Sequence, residues 1–329
     1  MAESLIEQFD QAVEAIFANP DLLPKVSEEL QPAIELAVVL RDLPRDSFKA
    51  NLRDELNSRA EAMKHASKPE ESDASADTSA RRLHTVTPYL AVKEAPALIE
   101  FVKEVFGAEG KIYGIGSEGG FHAEYKIGDS IVMIGGGEQW RGTPMPTALH
   151  VYVDDVDAVY QRALDAGASS ITGPIEDHGE RVAGVRDVSG NEWYVAKRLS
   201  GSHTDEGLRT VNVYLHPNGA AELIEFLKPA FGAEEIAVYR EPPTGPVVHA
   251  KIRIGDSVVE MGEAHGPYQP MPTMFFLYVD DADAWYQRAV DAGATSIGEP
   301  KNQPYGDRSG GVRDPFGNLW YVAAPVREV

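Results

Sequence analysis

At 329 residues, with 43% hydrophobic and 25% charged residues, the chain has the make-up of an ordinary globular protein of two or three domains. A formal charge of −22 argues against a nucleic-acid partner, because phosphate-backbone binding rests on clustered Lys and Arg. Zero cysteines exclude disulfides, thiolate metal sites and cysteine nucleophiles, and no apolar run or basic leader pattern suggests a membrane span or export, so the cytoplasm is the expected location.

Residues 4–19 place Leu5, Ile6, Phe9, Val13, Ile16 and Phe17 at helical spacing, and Pro20 and Pro24 close that helix. A second helical stretch, IELAVVLRDL, occupies 34–43, and a third begins at Pro44 with Phe48, Leu52 and Leu56 on one face. Residues 1–66 therefore read as a small all-α segment, serving either as a cap on the rest of the chain or as a module for docking a protein partner or self-association. SKPEESDASADTSA (67–80) has no large apolar residue with which to offset its ordering entropy, so 67–83 reads as a flexible linker.

From residue 84 the chain says nearly the same thing twice. LIEF (98–101) returns at 223–226, FGAE (106–109) at 231–234, IGDS (127–130) at 254–257 and PMPT (144–147) at 270–273. YVDD (152–155), YQRA (160–163), DAGA (165–168), GVRD (184–187) and WYVA (193–196) recur in the same order from 278 to 323. Residues 84–198 and 208–326 are two copies of one domain joined by a short connection at 199–207, each long enough for its own core.

Each copy divides again. A strand at 86–92 and a helix at 96–107 precede three short strands near 111–116, 121–128 and 130–135. The order repeats as a strand at 148–153, a helix at 156–167 and three strands between 171 and 198. The pattern is βαβββ, four times in the chain, and the fold class is α+β. Gly128-Asp129 and Ser189-Gly190-Asn191 carry hairpin-turn chemistry. Asp154-Asp155 and Asp280-Asp281 read as helix caps, and Arg186 and Arg313 as turn-fixing or surface residues.

HAEYKIGDSIVM (122–133), HAKIRIGDSVVEM (249–261) and YGDRSGGVRDPFGNLWYVA (305–323) resemble the vicinal oxygen chelate superfamily of glyoxalases, bleomycin-resistance proteins and extradiol dioxygenases. Within it, they are similar to the PhnB-like branch. The resemblance covers both copies and implies paired βαβββ modules whose curved sheets form cups, with a ligand or metal on the concave face. In metal-dependent members it implies His or Gln on the first strand, Glu on the fourth, His on the fifth and Glu on the eighth. Those places hold Thr87, Met133, Ala148 and Tyr194 in copy one, and Asn212, Glu260, Met274 and Tyr321 in copy two. Glu260 alone keeps the expected type, so no metal site and no cofactor are expected. If a divalent ion (Zn, Ni, Mn or Fe) is held at all, Glu260 holds it with His150 or His249.

Strand alternation says which side chains line the cups. Leu149, Val151 and Val153 face the core, which leaves Ala148, His150 and Tyr152 on the concave side. By the same rule Thr87, Tyr89 and Ala91 share a face, as do Asn212, Tyr214 and His216, and Met274, Phe276 and Tyr278. The expected ligand-binding set is Tyr89, His122, Trp140, His150, Tyr152, Tyr194, Tyr214, His249, Phe276, Tyr278 and Tyr321, with Glu260 as the catalytic candidate. Aromatic walls with a few polar groups suit a small organic molecule. The alternatives are a metal-dependent lyase, isomerase or dioxygenase centred on Glu260, and a scaffold or sensor docking a partner through 1–66. Copy two, with Glu260 and the DPFGN turn (314–318), is the expected active copy.

Overall fold

The computed structural model describes residues 83–115, 119–241 and 244–326. The helical segment expected at 1–66 and, but for its last residue, the linker expected over 67–83 lie outside these residues. Four βαβββ modules follow one another. The first comprises β1 (Val86–Val92), α1 (Ala95–Phe106), β2 (Glu109–Ile115), β3 (Phe121–Ile127) and β4 (Ser130–Gly136). The second comprises β5 (Ala148–Tyr152), α2 (Val156–Asp165), β6 (Ser169–Asp177), β7 (Glu180–Arg186) and β8 (Glu192–Arg198). After a 3-10 turn at His203–Glu206, the third runs through β9 (Val211–Leu215), α3 (Ala220–Phe231), β10 (Glu234–Arg240), β11 (Val247–Ile254) and β12 (Ser257–Met261). The fourth comprises β13 (Met274–Tyr278), α4 (Ala282–Asp291), β14 (Thr295–Asn302), β15 (Asp307–Arg313) and β16 (Leu319–Pro325). No helix among the described residues is long and apolar enough to cross a membrane.

The helices end where local chemistry ends them. Asp155 and Asp281 each accept a hydrogen bond from the backbone N–H three residues on, at 3.0 Å, as the acidic pairs suggested. Gly107 and Gly232 close α1 and α3 with φ of 64° and 66°, a left-handed conformation that costs a side chain dearly.

The modules pair crosswise. One eight-stranded sheet has the order β14-β15-β16-β13-β1-β4-β3-β2, and the other β10-β11-β12-β9-β5-β8-β7-β6. Each sheet therefore joins one module of copy one to one of copy two, through the antiparallel pairs β1–β13 and β5–β9. The reading of each copy as a self-contained cup is corrected here. Modules of the same copy meet instead through their apolar backs. Trp193 of β8 lies 5.0 Å from Phe106 of α1 between ring centroids, and Trp320 of β16 lies 4.8 Å from Phe231 of α3. Both tryptophans are fully buried, and each donates its indole N–H to a buried aspartate, Asp187 or Asp314, at 2.8 Å.

The repeated IGDS string locks the copies together, a role beyond that of a hairpin turn. The Asp129 carboxylate accepts from Thr210 N–H at 2.8 Å and Ser130 Oγ accepts from Val211 N–H at 3.0 Å, just ahead of and into β9. Asp256 and Ser257 do the same for Thr85 and Val86 at the start of β1, also at 2.8 and 3.0 Å. The glycine before each aspartate is required, because a Cβ on Gly128 or Gly255 would run into Thr210 or Thr85.

Candidate functional site

The two cups are built alike and furnished differently. The β1/β13 sheet presents an aromatic floor. Tyr89 stacks on Phe276 at 5.5 Å, Phe276 on Tyr321 at 5.3 Å, and Tyr278 flanks Phe276 at 6.1 Å, all four half-buried. His122 of β3 stacks on Tyr89 at 5.6 Å and its Nε2 lies 3.3 Å from Glu124. Burial pushes the Tyr89 hydroxyl up to about 12, so it stays protonated at neutral pH. Trp140, in the loop after β4, packs on Gly120 and Gly142 at the rim, where an added Cβ would strike the indole.

The β5/β9 sheet gathers the ionisable groups. His150 of β5 and Glu260 of β12 come from different copies, and crosswise pairing brings them to 2.7 Å between Nδ1 and Oε2. Both are buried, at 8% and 1% exposure. His249 of β11 approaches the other Glu260 oxygen at 3.7 Å. His150 Nε2 has no hydrogen-bond partner and lies 3.6 Å from Glu180, whose carboxylate also takes the Tyr152 hydroxyl and the Arg198 guanidinium, each at 2.9 Å. Glu206, from the connection between copies, pairs with Lys251 and Arg198, and His203 stacks on Tyr152 at 4.4 Å. Half of the cup around Glu260, the expected site of copy two, comes from copy one.

Burial alone would lower the His150 pKa, but the Glu260 charge and hydrogen bond, with Glu180 behind them, raise it overall. Burial acts the opposite way on Glu260, and His150, His249 and Lys251 hold it below the ordinary carboxylate range. Each partner thus favours the charged form of the other. His249, left with less compensation for its burial, is shifted down and stays neutral. Burial raises the hydroxyls of Tyr152, Tyr194 and Tyr214, so these tyrosines act as neutral donors.

Further along the same face Tyr194 donates to Glu192 at 2.6 Å and Tyr214 sits beside His249, with oxygen and Nδ1 3.3 Å apart. Arg186 lies at the surface and pairs with Glu192 across the base of the β7–β8 turn at 2.6 Å, and Asp187 holds the turn by accepting from Ser189 and Asn191 N–H. Of the residues expected from sequence, His150, Tyr152, Tyr194, Tyr214, His249 and Glu260 meet in this cup. Tyr89, His122, Phe276, Tyr278 and Tyr321 meet in the other. Glu180, Arg198, Lys251 and Glu206 were not anticipated. Lys251 stands two residues from His249, so alternation alone would have found it, whereas Glu206 carries no signal in sequence.

The donor set does not suit the family's metal. In the Glu260 cup the other three ligand positions hold Ala148, which offers nothing, Tyr194, whose proton goes to Glu192, and Asn212. The Asn212 carboxamide is spent at both ends on the Arg209 backbone, at 2.9 and 2.8 Å. Among the described residues no three His, Asp or Glu side chains converge as ligands.

Comparison with known proteins agrees with this architecture. The model of the Glyoxalase/Bleomycin resistance protein/Dioxygenase superfamily matches residues 81–195 and 213–322. An uncharacterized protein of Mycobacterium tuberculosis is 37% identical over 151 residues, covering 40% of this chain and 88% of that protein. The anthracycline biosynthesis protein DnrV of Streptomyces peucetius is 29% identical over 191 residues, covering 56% of this chain and 67% of its own. Glyoxalase I from Zea mays superposes with a TM-score of 0.56 at 15% identity, over 72% of this chain and 91% of that one. A putative dioxygenase from Bacillus subtilis gives 0.51 at 12%, over 73% and 84%. At such identities the solved structures speak to the fold alone. The tandem family matches, falling on the two copies, make this chain a member of the glyoxalase/bleomycin resistance protein/dioxygenase superfamily.

Proposed function

We propose that this protein binds a small organic molecule over the His150–Glu260 pair, without a metal ion, in the manner of bleomycin-resistance and PhnB-like proteins. The observation that carries the reading is the buried His150–Glu260 pair, in which His150 Nε2 makes no hydrogen bond and has only the Glu180 carboxylate, at 3.6 Å, near it, with Tyr194 and Tyr214 beside the pair on the neighbouring strands. A buried ring nitrogen without a hydrogen bond costs about 1–3 kcal/mol, which a polar group of the ligand at His150 Nε2 recovers. The ligand's flat body lies on the tyrosines. The likeness to a protein named for anthracycline biosynthesis favours a polycyclic aromatic ligand.

An anthracycline titration followed by the dye's own fluorescence tests this. Glu260→Gln is expected to weaken binding at least tenfold, while Met133→Gln, at the same position in the other cup, leaves it unchanged. Equal effects, or no saturable binding at all, would overturn the proposal. Metal analysis after incubation with Zn²⁺, Ni²⁺, Mn²⁺ or Fe²⁺ tests the metal-free part. One equivalent retained by the wild type and lost in Glu260→Gln would favour a metal-dependent lyase, isomerase or dioxygenase instead.

A further inference from the structure

The connection between the copies does more than join them. Its 3-10 turn, His203–Glu206, packs on the charged cup, with the His203 ring stacked on Tyr152 and Leu208 buried among Tyr152, Ala196 and Val258. The turn holds its own shape: Ser202 and Asp205 cap it reciprocally, and Gly207 N–H donates to the Thr204 carbonyl at 3.0 Å. From this turn the Glu206 carboxylate reaches two cations of the sheet, Lys251 of β11 and, at 2.9 Å, Arg198 of β8.

The two cations differ in what else they touch. Arg198 also has Glu180, at 2.9 Å. Lys251, its side chain 11% exposed, stands opposite Glu260 across the β11–β12 ladder, but that carboxylate is committed to His150, and the anion hydrogen-bonded to Lys251 is Glu206. His150, Glu180, Arg198, Lys251 and Glu260 are all fixed on strands. Glu206 is carried on the connection with its side chain 38% exposed, so it can swing into solvent by rotating its own bonds while the turn stays in place. Burial would raise its carboxyl, but Lys251 and Arg198 hold it below the ordinary range.

The aromatic cup is the control. It has Glu124 where the charged cup has Lys251, and Pro325 where the charged cup has Arg198. The fold therefore asks for neither cation. A lysine and an arginine converging on one carboxylate, itself held by a side chain that can leave, offer a point charge and a planar fork to a carboxylate from outside.

We propose that Lys251 and Arg198 form an anion subsite of the charged cup, that the ligand is a flat aromatic carboxylate, and that Glu206 fills the subsite until the ligand's carboxylate displaces it. The inference rests on the ligand reading of this cup and adds the acidic group. Lys251 neighbours Glu260 on the next strand, so a ring system over the His150–Glu260 pair carries its carboxylate to Lys251 without leaving the cup. Glu206 competes as a tethered anion at high effective concentration, so the wild type discriminates weakly for charge and removal of Glu206 reveals the preference.

Anthraquinone-2-carboxylate, with anthraquinone-2-carboxamide as its neutral counterpart, is the probe pair, measured by equilibrium dialysis against full-length protein at pH 7.5. The two are expected to bind the wild type with similar affinity. In Glu206→Ala the carboxylate should bind about tenfold more tightly than the carboxamide, as a charge-assisted hydrogen bond implies. The double variant Glu206→Ala/Lys251→Met should bind both alike again. No preference in Glu206→Ala, or an equal preference in the wild type, would overturn the proposal whether or not the double variant folds, and so would a preference that survives Lys251→Met. Equal binding of both probes in every form, weakened by Glu260→Gln, would refute the anion subsite and leave the cup reading standing. Binding of neither probe in any form would bring down the cup reading and the subsite with it.

Discussion

The aromatic cup offers natural isosteres for the charged one, and this allows the cost of the buried ion pair to be worked out. His150 corresponds to Phe276 and Glu260 to Met133, each on the same strand of its module. At 2.7 Å and an effective dielectric of about 20, the gross attraction between the two charges is roughly 6 kcal/mol. Removing two buried ions from water costs several kcal/mol each, so the pair as a whole is close to break-even. Either single replacement strands its partner. Glu260→Met leaves a buried imidazole facing Glu180 alone, and His150→Phe leaves a carboxylate with no hydrogen-bonded partner, only His249 at 3.7 Å and the Lys251 charge on the next strand. Each single variant is expected to lose about 3–5 kcal/mol. The double variant His150→Phe/Glu260→Met reproduces an arrangement the fold already carries and should fall within about 1 kcal/mol of the wild type. Glu180 keeps Arg198 and Tyr152, and Lys251 keeps Glu206, so neither is stranded by the change. Urea unfolding of the four proteins at pH 7, read by Trp fluorescence and circular dichroism, closes the cycle. A double variant whose loss equals the sum of the two singles would refute the reasoning.

The same pair sets a pH signature. His150 sits above its ordinary 6.5, so its contribution is whole below that value and fades as pH rises through the folded one. Glu260 sits below 4.5, so its contribution is whole above that value and fades as pH falls through the folded one. The stability difference between wild type and double variant should therefore form a plateau with falling shoulders on both sides, and a monotonic difference would contradict the assignment. His216 behaves oppositely. Burial holds it down to about 4, so its folded state resists protonation and stability drops by about 3 kcal/mol as pH falls from 6.5 to 4. His216→Ala should lose that slope, and equal urea midpoints at pH 7 and 4.5 in wild type would exclude it. Residues 84–198 expressed alone carry two modules that sit in different sheets, so native mass spectrometry should find a dimer; a folded monomer would contradict the crosswise pairing.

Much of this was legible in the chain. Alternation along 148–153 assigned Leu149 and Val151 to the core and His150 to the concave face, because successive side chains of a strand point to opposite faces. The helix caps followed from Asp155 and Asp281 for equally local reasons. The pairing of modules was not legible, because four units of one pattern offer chemically equivalent partners. The choice is made by contacts far apart in sequence, such as Asp129 with Thr210, and a turn string does not announce what its carboxylate will reach. Glu260 and His150 could be named as partners, but Glu180 could not be given a role. Its significance lies in which nitrogen goes unbonded, and that depends on neighbours supplied by other strands.

The locking of the copies by Asp129 and Asp256 has an evolutionary corollary. A symmetric dimer of a single copy would have to place every substitution in both of its cups at once. Joined through residues 199–207, the halves meet at the high effective concentration of a tether and no longer need to be identical. A histidine and a glutamate can then enter one cup while phenylalanine and methionine occupy the other. In genetic terms the chain is a heterodimer written as one gene product, in which one cup can acquire chemistry while the other keeps its aromatic surface.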